Sequence, residues 1–330
     1  MPPTVDFHVG TIATQPGTKV SGVLHVPPGV DAATEIPITI FHGVKPGPVL
    51  ALIAGNHGYE YPPILALQQL RPEIDPAELT GTIIMVHVAN MPSFLGRTVY
   101  FSPIDGKNLN RVYPGKADGT VSDRIAYAMT HEILNKSDYV LDLHCGDGNE
   151  SLRPYLYQTE TGNAVLDAEI ARLVMAFGMD HIVIDRGRPT DPEASFFCSN
   201  TAITRGKPAV TIEAGYLGGT DQESVDIIKD GVMSVLRELK MIAGEPLHVD
   251  APMYLDPTEV LNSPATGILY PAVVKDQKVK AGELLATITG FFGNEIGVVR
   301  APFDGIIIYV VATPPITVGQ PVAFVAAVRE

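Results

Sequence analysis

The sequence predicts an α/β protein with a largely parallel sheet flanked by helices, followed by a small all-β region. Two observations carry the first part. Apolar runs of strand length end at glycine, and amphipathic stretches with 3.6-residue spacing separate them. One observation carries the second part. After about residue 250 the helical periodicity stops, and short apolar runs alternate with Gly and Pro turns. The boundary implied is an α/β unit over 1–248 and a β unit over 249–330. Residues 1–44 are also β-rich, and the sequence does not say which unit they join.

The elements follow in order. "PITIFHG" and "PVLALIAG" read as buried strands, as do "TIIMVHVAN", "YVLDLHCG", "HIVIDRG" and "AVTIEAGY". Between them, "PPILALQQL", "VSDRIAYAMTHEILNK", "AVLDAEIARLVMAFG" and "DQESVDIIKDGVMSVLRELKMI" read as helices. Proline opens the first as a helix start allows, and Asp221 is placed to cap the last. Strands alternating with helices imply a mostly parallel sheet. In such sheets ligands sit beyond the carboxyl ends of the strands. The β region contains an echo of itself: "SPATGILYPAVVKDQKVKAGELLATI" against "APFDGIIIYVVATPPITVGQPVAFVA", with Pro264 and Gly267 matching Pro302 and Gly305. This two-fold repeat resembles the barrel-sandwich hybrid of biotinyl and lipoyl domains. Those domains present a lysine at the hairpin between the halves. Here the hairpin reads "TGFFGNEIGVV", so no swinging-arm cofactor is expected.

Composition narrows the partners. The chain has 330 residues, 45% hydrophobic and 18% charged, enough to bury a large core. Its formal charge of −14 disfavours nucleic acid and anionic membranes as general partners. An anionic small substrate would need a local basic pocket. The start "MPPTVDFHVGTIATQPG" has no signal-peptide pattern, and no apolar stretch is long enough to span a membrane. Cys145 and Cys198 are too few for a disulfide framework. The expectation is a cytoplasmic protein, with apolar surface that could serve a homo-oligomer.

The chemistry candidates sit where apolar runs end. His57 and Glu60 follow "PVLALIAG", His144 follows "YVLDL", and Glu213 follows "AVTI". Two ligands at i and i+3 and a third from a distant strand end would make an open zinc site, one ion per chain, with a fourth position for water. Glu213 is a candidate for the carboxylate that moves the water's proton. Asp142, two residues before His144, would point to the same side of the strand and could orient that histidine. Each has a plainer reading. A lone His-x-x-Glu in a loop is common and incidental, His144 could be a core histidine, and Glu213 could be a structural ion-pair partner. Cys145 reads as a small buried filler. A long Gly-, Pro- and Asn-rich loop, "GRTVYFSPIDGKNLNRVYPG", has the length of an active-site loop. Asn110 and Arg111 within it suit a substrate carboxylate, although Asn108 and Asn110 could simply stabilise turns.

"GNHGYE", "DGKNLNR", "DLHCG" and "TIEAG" together resemble the motifs of the succinylglutamate desuccinylase/aspartoacylase family of the zinc carboxypeptidase clan, over roughly residues 45–245. The resemblance implies a zinc-carboxypeptidase-like fold. It implies zinc ligands His57, Glu60 and His144, Glu213 as general acid/base, and Asn110 and Arg111 as contacts of the substrate carboxylate. The implied reaction is hydrolysis of the amide of a small N-acyl amino acid. One position departs: the arginine that aspartoacylase-like members carry seven residues before the Asn is Pro103 here. Arg97 is the nearest substitute for polarising the scissile carbonyl. The loop looks more like a bacterial branch, some of whose members resemble the deacetylase of N-acetyldiaminobutyrate. A metallocarboxypeptidase acting on short peptides, or a non-catalytic binder of an acidic metabolite, would use the same motifs.

Overall fold

A computed structural model describes residues 6–329. The six strands expected from the sequence form within one 13-stranded sheet. Its centre runs Thr80–Val86, Lys45–Ala54, Tyr139–Gly146 and Ala209–Tyr216, all mutually parallel. These strands are apolar on both faces because helices cover the sheet. Leu50, Leu52, Ile53, Val140 and Ile212 are fully buried. Outward on one side, Thr34–His42 and Thr18–Val26 add antiparallel. The N-terminal β-rich residues from 18 onward therefore extend the large sheet.

On the other side, Tyr155–Thr159 inserts antiparallel to Ala209–Tyr216 and parallel to His181–Asp185. The next strand, Met253–Asn262, pairs parallel with His181–Asp185 and antiparallel with Pro321–Val328. The hydrogen-bond ladder thus runs without interruption into the C-terminal β region. There, Gly305–Val311 also pairs with Glu150–Leu152. A second, four-stranded sheet faces this part, in the order Glu295–Arg300, Leu284–Thr289, Gly267–Pro271, Pro315–Ile316. The core between the two includes Leu269, Leu285, Ile288 and Val299 from the small sheet and Val325 from the large one.

The helices Tyr61–Glu73, Ala164–Phe177 and Gln222–Glu238 form where the periodicity places them, and the first two each pack on the third. Asp221 caps the last through Oδ1, which accepts from Ser224 N at 2.9 Å. The stretch 121–136 is less regular than its pattern implies. An α-helix over Val121–Ala128 gives way to a π turn at Met129–Ile133 and a 3-10 turn at Leu134–Lys136. Among the described residues no helix is long and apolar enough to cross a membrane.

Candidate metal centre and active site

The parallel centre of the sheet delivers the expected residues to one edge. Lys45–Ala54 ends just before His57 and Glu60, and His144 lies near the end of the neighbouring Tyr139–Gly146. In the third strand, Glu213 stands directly opposite His144 in register. Two glycines make the turn after Ala54 possible. Gly55 has φ +73°, a conformation L side chains rarely adopt, and a Cβ at Gly58 would collide with the carbonyls of Ser93 and Thr98.

His57 Nδ1 and His144 Nδ1 both lie 2.8 Å from one oxygen of Glu60, Oε1. All three side chains are buried. The outer ring nitrogens are held as well: His57 Nε2 lies 3.1 Å from Asn108 Oδ1, and His144 Nε2 lies 3.1 Å from Asp142 Oδ1. Asp142 Oδ1 also accepts from Asn56 Nδ2 at 2.8 Å, and its Oδ2 accepts from Ser199 N at 3.3 Å. This group could hold a divalent ion: three donor atoms lie within 4.8 Å of one another, and each imidazole has a partner on its far nitrogen. Two nitrogens and one oxygen, with no thiolate, suit zinc among other divalent ions.

Electrostatics bind the group together. Burial opposes charge on His57, but Glu60 and Asp147 outweigh it and raise the imidazole to about 10. Burial likewise pushes Glu60 up, and His144 and His57 reverse this, bringing it down to about 2. In Glu213, burial raises the carboxyl well above its ordinary range. His144 works against that rise, while Glu60, Glu150 and Asp147 add to it.

The loop after residue 97 closes the site. Asn110 is buried; its Oδ1 accepts from Cys198 N at 2.8 Å, and its Nδ2 lies 3.4 Å from His144 Nε2. Asn108 serves the turn, accepting from Asn110 N at 2.8 Å, and also orients His57. Arg111 lies over the Phe197 ring at 4.4 Å and within electrostatic reach of Glu213. Its guanidinium makes no ion pair among the described residues. Arg97 is placed differently. It caps the short helix Met91–Gly96 in the left-handed conformation, is exposed, and faces a separate cleft with Tyr61, Phe94 and Thr220. No hydrogen bond or ion pair joins it to the His57–Glu60–His144 group among the described residues.

A match to the succinylglutamate desuccinylase/aspartoacylase catalytic domain covers residues 46–239. The chain belongs to that family. At the sequence level, a relative from Halomonas elongata, named N-alpha-acetyl-L-2,4-diaminobutyric acid deacetylase, is 31% identical over 99% of this chain and 95% of its own length. Family structures agree. A succinylglutamate desuccinylase from Silicibacter superposes with a TM-score of 0.85 at 26% identity, covering 99% of both chains. The product-bound ectoine utilization protein of Ruegeria pomeroyi gives 0.84 at 26% identity over 98% of both. Three residues that the sequence reading passed over also lie at the site. Asp147, Glu150 and Tyr100 stand beside the metal group: Asp147 Oδ2 lies 3.3 Å from His57 Nδ1, and Tyr100 OH donates to Glu150 Oε1 at 2.6 Å. Tyr100 and Asp147 both hold a positive φ, 60° and 46°, a strain that clusters at functional sites. The one signal available in the sequence was the acidic "GDGNE" directly after "DLHC".

Proposed function

We propose that the protein is a zinc-dependent amidohydrolase that removes the acyl group from a small N-acyl amino acid. The observation that carries this reading is the convergence of His57 Nδ1 and His144 Nδ1 on Glu60 Oε1, with Glu213 in register beside His144. A zinc ion held by His57, Glu60 and His144 would polarise the scissile carbonyl and lower the pKa of a water towards 7. Glu213 accepts the proton of the attacking water and passes it to the departing amine. Its raised proton affinity suits a group that must both take and give a proton. Arg111 offers its fork to the substrate carboxylate, and Asn110 fixes the loop that carries it. The name of the Halomonas relative supports an N-acyl amino acid as the substrate class.

The test is a zinc-loaded protein assayed against N-acetyl, N-formyl and N-succinyl amino acids, with dipeptides alongside. Deacylation sensitive to chelators, with about one zinc per chain, is expected. Glu213→Gln should lose roughly 10²–10⁴-fold in kcat with zinc still bound. Full turnover by that variant would overturn the mechanism. Preference for dipeptides would make the protein a carboxypeptidase instead.

A further inference from the structure

Two guanidinium groups meet on one aromatic ring. Arg111 and Arg188 each lie 4.4 Å from the centroid of Phe197, so their Cζ atoms are at most twice that distance apart. The ring is tied to the metal group. Phe197 packs on Phe196 at 4.2 Å and directly precedes the helix Cys198–Ile203. The first two amides of that helix donate to Asn110 Oδ1 at 2.8 Å and to Asp142 Oδ2 at 3.3 Å. Asn110 and Asp142 in turn reach His144 Nε2, at 3.4 and 3.1 Å.

Neither fork is filled. Arg188 Nε lies 2.8 and 2.7 Å from the two oxygens of Asp185, and its terminal nitrogens have no hydrogen-bond partner among the described residues. Arg111 donates from Nη1 to the carbonyl of Asn110 at 2.7 Å and makes no other hydrogen bond among the described residues. Two cations held this close repel each other. Loss of hydration and then the charge of Arg188 lower the proton affinity of Arg111, while Tyr157, Glu213 and Tyr100 oppose this. Tyr157 feels both Glu213 and Arg188, so the two arginines and the proposed base share one neighbourhood. Asp185 answers only one of the two positive charges. An arriving carboxylate finds unpaired N–H donors on both, and each of its oxygens can take a guanidinium at charge-assisted distances of about 2.7–2.9 Å. Stacking on Phe197 sets the planes of both forks beforehand, so little freedom is lost when the anion binds.

We propose that Arg188 is a second carboxylate-binding residue of the site: its terminal nitrogens and those of Arg111 take the same carboxylate, that of the amino acid from which the acyl group is removed. This rests on the deacylase reading and extends it. Arg188 follows the strand His181–Asp185 and lies outside the four motifs that carry the family resemblance.

The experiment compares Nα-acetylnorvaline with Nα-acetylnorvalinamide, which differ only in the group offered to the arginines. Wild-type kcat/KM should favour the acid, and no preference refutes the proposal. Arg188→Gln should lower the ratio of acid over amide by about 10–100-fold, chiefly through KM, which is what a hydrogen bond to a charged group contributes. The acid carries one carboxylate, so Arg111→Gln should lower the same ratio. A role for Arg188 confined to its pair with Asp185 would change both substrates alike and leave the ratio as it was, which overturns the proposal. If Arg188→Gln does not fold, the double variant Asp185→Asn/Arg188→Gln leaves no unpaired carboxylate and carries the same expectation. If neither substrate is hydrolysed, calorimetric titration of the zinc-loaded protein with norvaline and norvalinamide decides. Tighter binding of norvaline, lost in Arg188→Gln, supports the assignment, and only the deacylase reading falls. A wild type that binds norvaline no more tightly than norvalinamide, or a variant that keeps the preference, refutes it.

Discussion

Replacing Asp142 by Asn should weaken zinc binding without touching any proposed ligand. Asp142 is fully buried and faces three protein groups: His144 Nε2 at 3.1 Å, Asn56 Nδ2 at 2.8 Å and Ser199 N at 3.3 Å. When His144 offers Nδ1 to an ion, its Nε2 carries the proton, so all three groups are donors. A carboxylate accepts from all three; an amide has one accepting oxygen. At least one donor then faces the new NH₂ group. Leaving a buried donor unpaired costs about 1–3 kcal/mol. Loss of the charge behind the imidazole lowers its basicity, and changes of this kind cost 10–100-fold in metal affinity, or about 1.4–2.7 kcal/mol. The assay is competition for zinc against a chromophoric chelator, with chemical denaturation of the metal-free protein alongside. Both affinity and stability should fall. Unchanged zinc affinity in a variant that folds would show that Asp142 does not orient His144, and the reasoning would fail.

Two further predictions concern the surroundings of the centre. Gly58→Ala sets a methyl group against the Ser93 and Thr98 carbonyls, both backbone, so neither can rotate away. It should cost about 1–3 kcal/mol in denaturant unfolding and lower zinc stoichiometry. If Glu213 is the base proposed above, the acid limb of kcat/KM should report its ionisation in the free enzyme, which burial and neighbouring carboxylates raise. Activity should therefore be lost as pH falls through a value above the ordinary carboxylate range. A limb at or below the ordinary carboxylate range would contradict the assignment.

The central strands were legible because burial on both faces leaves an unbroken apolar run, as in "VLALIA" and "YVLDL". The meeting of His57, Glu60 and His144 was legible because each follows such a run and the strands are parallel, so their ends share an edge. Other elements left weaker marks. Tyr155–Thr159 is short, polar at Gln158 and Thr159, and joins the sheet in both senses, so neither its period nor its length stands out. Cys198–Ile203 is a six-residue helix, too short to show a repeat. Met253–Asn262 has an exposed, polar face and resembles an edge strand in sequence, yet it lies inside the large sheet. Glu150 and Tyr100 were missed because their meeting depends on a backbone turn at positive φ that no spacing rule encodes. Arg97 could be found by its chemistry, but its position depends on how the loop folds.

The uninterrupted ladder through Met253–Asn262 has a mechanical consequence. A lid that opens about a hinge needs a seam where few bonds cross. Here the C-terminal region is stitched to the catalytic half by strand pairing at His181–Asp185 and again at Glu150–Leu152. Rigid swinging of that region would tear two rows of backbone hydrogen bonds, so admission and release of small molecules must fall to the loops at the rim. The same stitching makes the region hard to remove. A chain cut short before residue 253 would bare the side of His181–Asp185, an apolar strand edge able to pair with the next molecule and seed precipitation.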